Sequence, residues 1–269
     1  MVDSNDELDL LVFGDDDAGE PGPDLTPLGP TLQIEHTAVL SYALAHNRVP
    51  VIHSVTVSGA AHSTRGALLS IALRDAYGPV GPPMQVILDL EPGQNTVLKN
   101  VDFRLDPGAM LQIEEQRPGR LTFDLYDGEH LLTSVSRDVQ LLASNQWLAN
   151  PVALGLELLA AFVMPNHPAV NALTAEAAKL LEQRTGRDAM EGYQLGPERV
   201  DEIVRAIYDA MHARNIRYVL PPASWADSGQ KVRNPGDVLE GGSGTCLDTT
   251  VVMAAVLEHA GIRPLIWIV

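Results

Sequence analysis

The sequence is poor in cysteine and lacks long apolar stretches, and each shortage excludes a class of protein. Cys246 is the only cysteine in 269 residues, which rules out internal disulfides and cysteine-based zinc cages and fits a cytosolic protein. No apolar run approaches the roughly 18 residues of a transmembrane helix. The N-terminus is too acidic for a secretory signal peptide. We therefore expect a cytoplasmic protein that does not bind a membrane.

Positive charge is also scarce. The chain has 18 lysines and arginines against 35 aspartates and glutamates, a formal net charge of −17 at pH 7. Such a surface repels nucleic acid phosphates, so we expect no direct nucleic acid binding by this chain, although a partner domain could supply it. The length is sufficient for two ordinary domains, each with its own core.

Residues 1–30 carry nine acidic residues and no lysine or arginine, and glycine and proline punctuate the second half. Too little apolar surface is present there to offset the entropy of ordering, so we predict a disordered acidic tail. The segment LDLLVFG at 8–14 is the exception. It is either a short docking motif or an apolar stretch without a specific role.

Residues 31–145 alternate apolar and polar side chains in short segments separated by turns rich in Gly, Pro and Asp. This pattern predicts an antiparallel β-sandwich of immunoglobulin type, serving as a spacer or a binding face. The strand-like segments include LQIEHTAVLSYAL, AMLQIEEQRPG and HLLTSVSRDVQLL. Histidines here are scattered without cysteine neighbours, so we expect no metal site and no cofactor.

Residues 146–269 change to helical periodicity and predict an α+β domain. Helices are expected at 151–165, 171–186, 196–216 and 246–260, bounded by proline at several starts and by Gly186 after the second. The first is apolar nearly all round, which predicts that it is buried. In the third, Val200, Val204, Ile207 and Met211 share one face. The closing segment PLIWIV predicts a short buried strand.

Cys246 stands where the glycine-rich segment GGSGT enters the last helix. A helix N-terminus has free N–H groups and roughly half a positive charge, which favour a thiolate and hold an oxyanion on an attacked carbonyl. Asp248, two residues on, stabilises the helix but opposes the thiolate. Lys231 and Arg233 are expected to pair with Asp237 or Asp248 rather than to bind a ligand. The alternative is a small buried residue that packs the helix end. A phosphate-binding loop is excluded because Thr245–Cys246 replaces its Lys–Ser/Thr pair.

The segment from Val232 to Val269 resembles the nucleophile region of the transglutaminase-like, papain-related cysteine hydrolases. Gly244, Thr245 and Cys246 match its G-x-C entry to the core helix, and Gly261, Ile262 and Pro264 match the turn that follows. The resemblance implies a partial transglutaminase-like domain with Cys246 as nucleophile and a protein or peptide as substrate. It also implies an oxyanion or substrate loop formed by Gln230, Gly244 and Thr245; for Gln230 the alternative is a solvated loop residue without such a role.

A second resemblance connects the chain with large bacterial proteins. Residues 40–52, 158–168 and 244–248 are similar to a module in front of a superfamily 1 helicase, often with a nuclease domain. This implies downstream helicase or nuclease partners and a role in defence against foreign DNA.

The chain departs from the hydrolase pattern after the cysteine helix. The family's His and Asp or Asn follow on the next two strands, and no residue here occupies those positions, so we expect a domain truncated before them. His259 is thirteen residues along the same helix, about 20 Å from Cys246, too far to act as its base. His167 and His212 stay open. The sequence thus predicts a cysteine hydrolase module inactive without further residues; the alternative is a non-catalytic scaffold or protein-interaction module.

Overall fold

The computed structural model describes residues 29–149, 151–190, 192–221 and 229–268. The chain divides into two compact units between Ser144 and Asn145, and its fold is mixed α+β with several sheets. The predicted tail 1–30, with its apolar motif at 8–14, lies outside the described residues except for its last two positions. Within the described residues, every helix is too short or too polar to cross a bilayer.

Unit 1 is built mainly of strands. Its elements are β1 Thr31–His36, β2 Val39–Leu40, α1 Tyr42–His46, β3 Ile52–Ser58, β4 Thr64–Asp75, β5 Gly78–Pro79, β6 Met84–Leu90, β7 Thr96–Val101, α2 Pro107–Leu111, β8 Arg117–Asp127 and β9 His130–Leu141. The smaller sheet has the order β1-β3-β7; the larger has the order β2-β9-β8-β4-β5, with β6 also paired to β4. All of these pairs are antiparallel except the parallel pair β2–β9.

The alternation read from the sequence is present in these strands. In β8 the side chains of Leu121, Phe123 and Leu125 are fully buried, while the intervening residues are partly exposed. One face of the sheet therefore lies on the core, as period-two patterning requires.

Two segments predicted as strands are helical instead. Residues 107–111 form α2 because the Asp106 side chain accepts hydrogen bonds from the backbone of Gly108 and Ala109, and Pro107 occupies the first turn. Ser41 caps α1 in the same way, accepting from the backbone of Leu44. In both places a helix-capping side chain outweighs the apolar alternation that predicted a strand.

Unit 2 is mainly helical, and its strands are only two or three residues long. Its elements are β10 Gln146–Leu148, α3 Val152–Leu158, a 3₁₀ turn Leu159–Phe162, α4 Pro168–Thr185, a 3₁₀ turn Gly192–Leu195, α5 Pro197–Ala213, β11 Arg217–Tyr218, β12 Gly229–Lys231, α6 Pro235–Leu239, β13 Ser243–Gly244 and α7 Cys246–His259. Residues from α4, α5, α6 and α7 form one hydrophobic core.

The long helices begin and end close to the predicted boundaries. Pro168 and Pro197 occupy the first turns of α4 and α5, where the missing N–H of proline removes no helical hydrogen bond. Gly186 ends α4 with φ of +72°, a left-handed conformation that glycine adopts without a steric penalty. Helix α7 runs over 246–259, one residue shorter than predicted.

The helix predictions for unit 2 hold for the face of α5 and are wrong in part for α3. In α5, Ile207 is buried in the core and Val200, Val204 and Met211 pack against that core partly buried, while Ile203, Ala206 and Ala210 complete the buried surface. Helix α3 gives way to a 3₁₀ turn at Leu159. Two of its apolar side chains, those of Val152 and Leu156, are exposed.

The predicted closing strand is not formed by the described residues. Residues 262–268 have no regular secondary structure, and the side chains of Leu265 and Trp267 are 75% and 82% exposed. A strand exists only through backbone pairing with a neighbour, and no described segment pairs with this one. The β-branched and aromatic residues of this segment favour a strand, but the residue types alone do not show whether a neighbouring strand is present to pair with it.

Candidate functional site

Helix α7 starts at Cys246, and its first turn is closed by a capping box. The hydroxyl Oγ1 of Thr245 accepts from the backbone N–H of Asp248 at 3.1 Å, and the Asp248 carboxylate accepts from the backbone N–H of Thr245 at 2.9 Å. Among the described residues, the N–H groups of Cys246 and Leu247 have no hydrogen-bond acceptor. The Cys246 side chain is exposed. The sole thiol therefore lies beside the free donors of a helix N-terminus.

The carboxylate nearest to Cys246 in sequence, that of Asp248, forms an ion pair with Arg233. The Asp248 side chain is fully buried, and Arg233 donates to it twice, through its backbone N–H at 2.8 Å and through Nη1 at 2.7 Å. The expectation that Asp248 pairs with a basic residue of the preceding loop is therefore confirmed for Arg233. Since the carboxylate is turned into the protein and paired, it imposes little net negative potential on the thiol.

A groove with a volume of about 330 Å³ runs past the thiol. Its aromatic and aliphatic walls come from Trp147, Tyr218, Pro221, Ile266, Trp267 and Ile268. Its polar lining comes from Gln230, Thr245, Thr250 and Cys246. The volume lies within the usual range for ligand sites.

Gln230 is brought to this groove by the short ladder β10–β12. It lies opposite Trp147 in that antiparallel pair, and its Nε2 donates to Oγ1 of Thr245 at 3.2 Å. Strand β12 approaches β10 closely at Gly229, where a Cβ atom would lie 2.4 Å from the carbonyl oxygen of Trp147. Glycine is therefore needed there to place Gln230 beside the cap of α7.

The other two predicted loop residues are buried. Gly244 lies in β13, its carbonyl accepts from the backbone N–H of Val219 at 3.1 Å, and a Cβ atom would lie 3.3 Å from Cβ of Asp248. Thr245 is 4% exposed and lines the groove with its side chain engaged by the cap. Gly244 thus permits close packing behind the helix mouth, while Thr245 and Gln230 lie at the groove.

None of the chain's eight histidines lines the groove. His167 caps α4, accepting at Nδ1 from the backbone of Ala169, and its ring lies against Gly236. His212 stacks on Tyr208 and lines a different groove together with Thr249. The described residues also contain no group of His, Cys, Asp or Glu that could hold a metal ion. The thiol therefore has no histidine base within its groove.

The apolar walls of the groove were not predicted as functional. Ile266 and Trp267 come from the segment expected to be a buried strand, and Tyr218 comes from the short segment after α5. Aromatic residues make up only 5% of the chain, and three of them, Trp147, Tyr218 and Trp267, line this groove. Their convergence depends on tertiary contacts between segments more than forty residues apart in sequence, which the spacing alone does not show.

Comparisons with known proteins add little to this geometry. No protein-family model and no curated protein matches the chain. Among solved structures, a candidate β-galactosidase from Bacteroides fragilis is similar with a TM-score of 0.22 and 12% sequence identity. The similarity covers 41% of this chain and 15% of that one, and at this TM-score it indicates neither fold nor function.

Proposed function

We propose that unit 2 is a transglutaminase-like cysteine hydrolase module in which Cys246 is the nucleophile. The observation that carries the proposal is the placement of the exposed thiol at the first position of α7, in a groove shared with Gln230. The free N–H groups of the helix N-terminus lie beside the sulfur, and the nearest carboxylate in sequence, that of Asp248, is paired with Arg233.

The chemistry begins with attack of the thiolate on a peptide or amide carbonyl. The backbone N–H of Cys246 and the Nε2 group of Gln230 are the donors proposed to hold the oxyanion. Collapse of the tetrahedral intermediate forms a thioester and breaks the C–N bond, with the amine leaving as it takes a proton from a general acid. Because no histidine lines the groove among the described residues, the proposal assigns that acid and base to groups beyond this lining, supplied by another part of the protein or by a partner.

A second candidate is a non-catalytic protein-interaction module, in front of a bacterial helicase or nuclease as the sequence resemblance implies. Two observations favour it: the groove lacks a histidine, and Trp267 and Leu265 beside it are exposed. Unit 1, with its two β-sheets, is proposed to be an immunoglobulin-like sandwich in either case.

An acylation burst with p-nitrophenyl acetate at pH 7 separates the two candidates without needing the missing base. The thiolate attacks the ester carbonyl and p-nitrophenolate leaves, so the expected result is one equivalent of p-nitrophenolate and one acetyl group on Cys246 by mass spectrometry. The matched control is Cys246→Ser, which is expected to give no burst. A native chain that acylates more slowly than the same chain in denaturant would refute the nucleophile and favour the interaction module.

A further inference from the structure

Resting on the proposed nucleophile, we infer that the groove beside Cys246 binds an uncharged, apolar segment of polypeptide and discriminates against acidic acyl groups. The proposal concerns the substrate class of this site. It follows from the chemistry of the groove lining and of its exposed rim.

The lining carries no charge on any described residue, although charged residues make up 20% of the chain. The nearest carboxylate in sequence, Asp248, is fully buried and paired with Arg233. With the free N–H groups at the start of α7 occupied by the oxygen of the attacked carbonyl, a charged side group elsewhere in the groove would lose hydration without gaining a partner, which is costly. An uncharged ligand incurs no such cost, and its apolar side chains would cover the aromatic walls.

The rim offers contacts that suit an extended peptide. The Trp267 side chain is 82% exposed and that of Tyr218 is 66% exposed, so both retain apolar surface for a ligand to cover. Residues 264–268 make no backbone hydrogen bond to any described residue. We expect the C=O group of Pro264 and the N–H and C=O groups of residues 265–268 to pair with the backbone of an extended segment, as in recognition by strand addition.

Alkylation of the sole thiol measures this selectivity directly. Three reagents are compared at pH 7: N-benzyl iodoacetamide, iodoacetamide and iodoacetate. In each case the thiolate displaces iodide, forming an S–C bond as the C–I bond breaks. Rates are divided by those of N-acetylcysteine amide, which removes the intrinsic reactivity of each reagent. The benzyl reagent is expected to be preferred over iodoacetate by about tenfold or more in the protein, the gain expected for covering part of a tryptophan.

Variants at the rim test whether the groove causes the preference. Trp267→Ala is expected to lower the preference for the benzyl reagent at least threefold. Leu265 is similarly exposed but lies outside the groove lining, so Leu265→Ala is expected to leave that preference unchanged. Trp267→Lys and Leu265→Lys raise the net charge equally, so only the first is expected to accelerate iodoacetate if the groove itself discriminates. Equal effects at both positions would overturn the inference, because the overall negative charge would then explain the preference.

The outcomes distinguish this inference from the proposed function. A thiol inert to iodoacetamide would refute the nucleophile, whereas a reactive thiol without preference would refute only the substrate class. Sedimentation of Cys246→Ser is expected to show a monomer. A dimer abolished by Trp267→Ala would also overturn the inference, because a second copy of the chain would then occupy the groove.

Discussion

The buried carboxylate of Asp248 is expected to be the main polar determinant of stability at the mouth of α7. It accepts three hydrogen bonds, from the backbone N–H of Thr245 and from the backbone and Nη1 of Arg233, at 2.7–2.9 Å. Asp248→Ala removes both acceptor oxygens and with them all three hydrogen bonds. It also leaves the Arg233 guanidinium, whose side chain is 22% exposed, without its counterion.

The size of the effect follows from these contacts. Removing one partner of a buried ion pair costs about 3–5 kcal/mol, and water reaching Arg233 places this case near the lower limit. Leaving the buried backbone N–H of Thr245 without its acceptor adds about 1 kcal/mol, whereas the bond from the backbone of residue 248 to Thr245 Oγ1 remains. We therefore expect Asp248→Ala to lower the free energy of unfolding by about 3–4 kcal/mol, a large share of the roughly 5–15 kcal/mol typical of folded proteins.

Guanidinium unfolding of the full chain, followed by circular dichroism, measures this loss. Asp138→Ala is the matched control, since Asp138 pairs with Arg120 on the surface with its side chain 81% exposed, and such pairs contribute about 0–1 kcal/mol. The reasoning is refuted if the Asp248 variant loses no more stability than the Asp138 variant. Replacing both partners, with Arg233→Met and Asp248→Leu, is expected to cost less than Asp248→Ala alone.

Two further predictions concern groups away from the groove. Arg199 is 5% exposed and donates to the carbonyls of Arg187 and Ala189, so Arg199→Ala is expected to lower the free energy of unfolding by about 3 kcal/mol. Arg205 is exposed, and Arg205→Ala is expected to change that free energy by less than about 0.5 kcal/mol. Equal losses of stability for the two variants in urea unfolding would contradict this prediction. Burial lowers the pKa of His53 below 6.5, with Glu35 opposing and His36 adding to the shift, so the folded chain favours the neutral ring. That contribution to stability is complete above pH 6.5 and is lost as pH falls through the lowered pKa. His53→Gln should therefore reduce the decrease in stability between pH 7.5 and pH 5, and an unchanged pH profile would contradict the assignment.

The parts of the fold that the sequence predicts well are those with local chemical signals. Pro168, Pro197 and Gly186 act on the backbone at their own positions, so helix boundaries can be read from them without knowing the neighbours. The strands of unit 1 are predictable for a similar reason, because apolar and polar side chains alternate along a strand that has one buried face. Where a capping side chain and alternation conflict, as at Asp106, periodicity alone predicts the wrong element.

The parts that could not be predicted depend on partners distant in sequence. Hydropathy does not predict that Arg199 is buried on an apolar helix face. Its guanidinium is stabilised there by the carbonyls of Arg187 and Ala189, which lie in a different segment. The position of Cys246 at a helix start was predictable from GGSGT. Its uncharged groove was not, because Trp147, Tyr218 and Trp267 converge only in the folded chain.

The two-residue ladder between β11 and β13 has a mechanical consequence. Tyr218 lies in register with Gly244, and the N–H groups of Arg217 and Val219 donate to the carbonyls of Gly242 and Gly244. These bonds join the segment that follows α5 to the segment that precedes α7. If α5 tilts, we therefore expect Tyr218 and Cys246 to move together. Residues 266–268, which also line the groove, make no backbone hydrogen bond to any described residue, so we expect changes in the width of the groove to come from them rather than from the Tyr218 side.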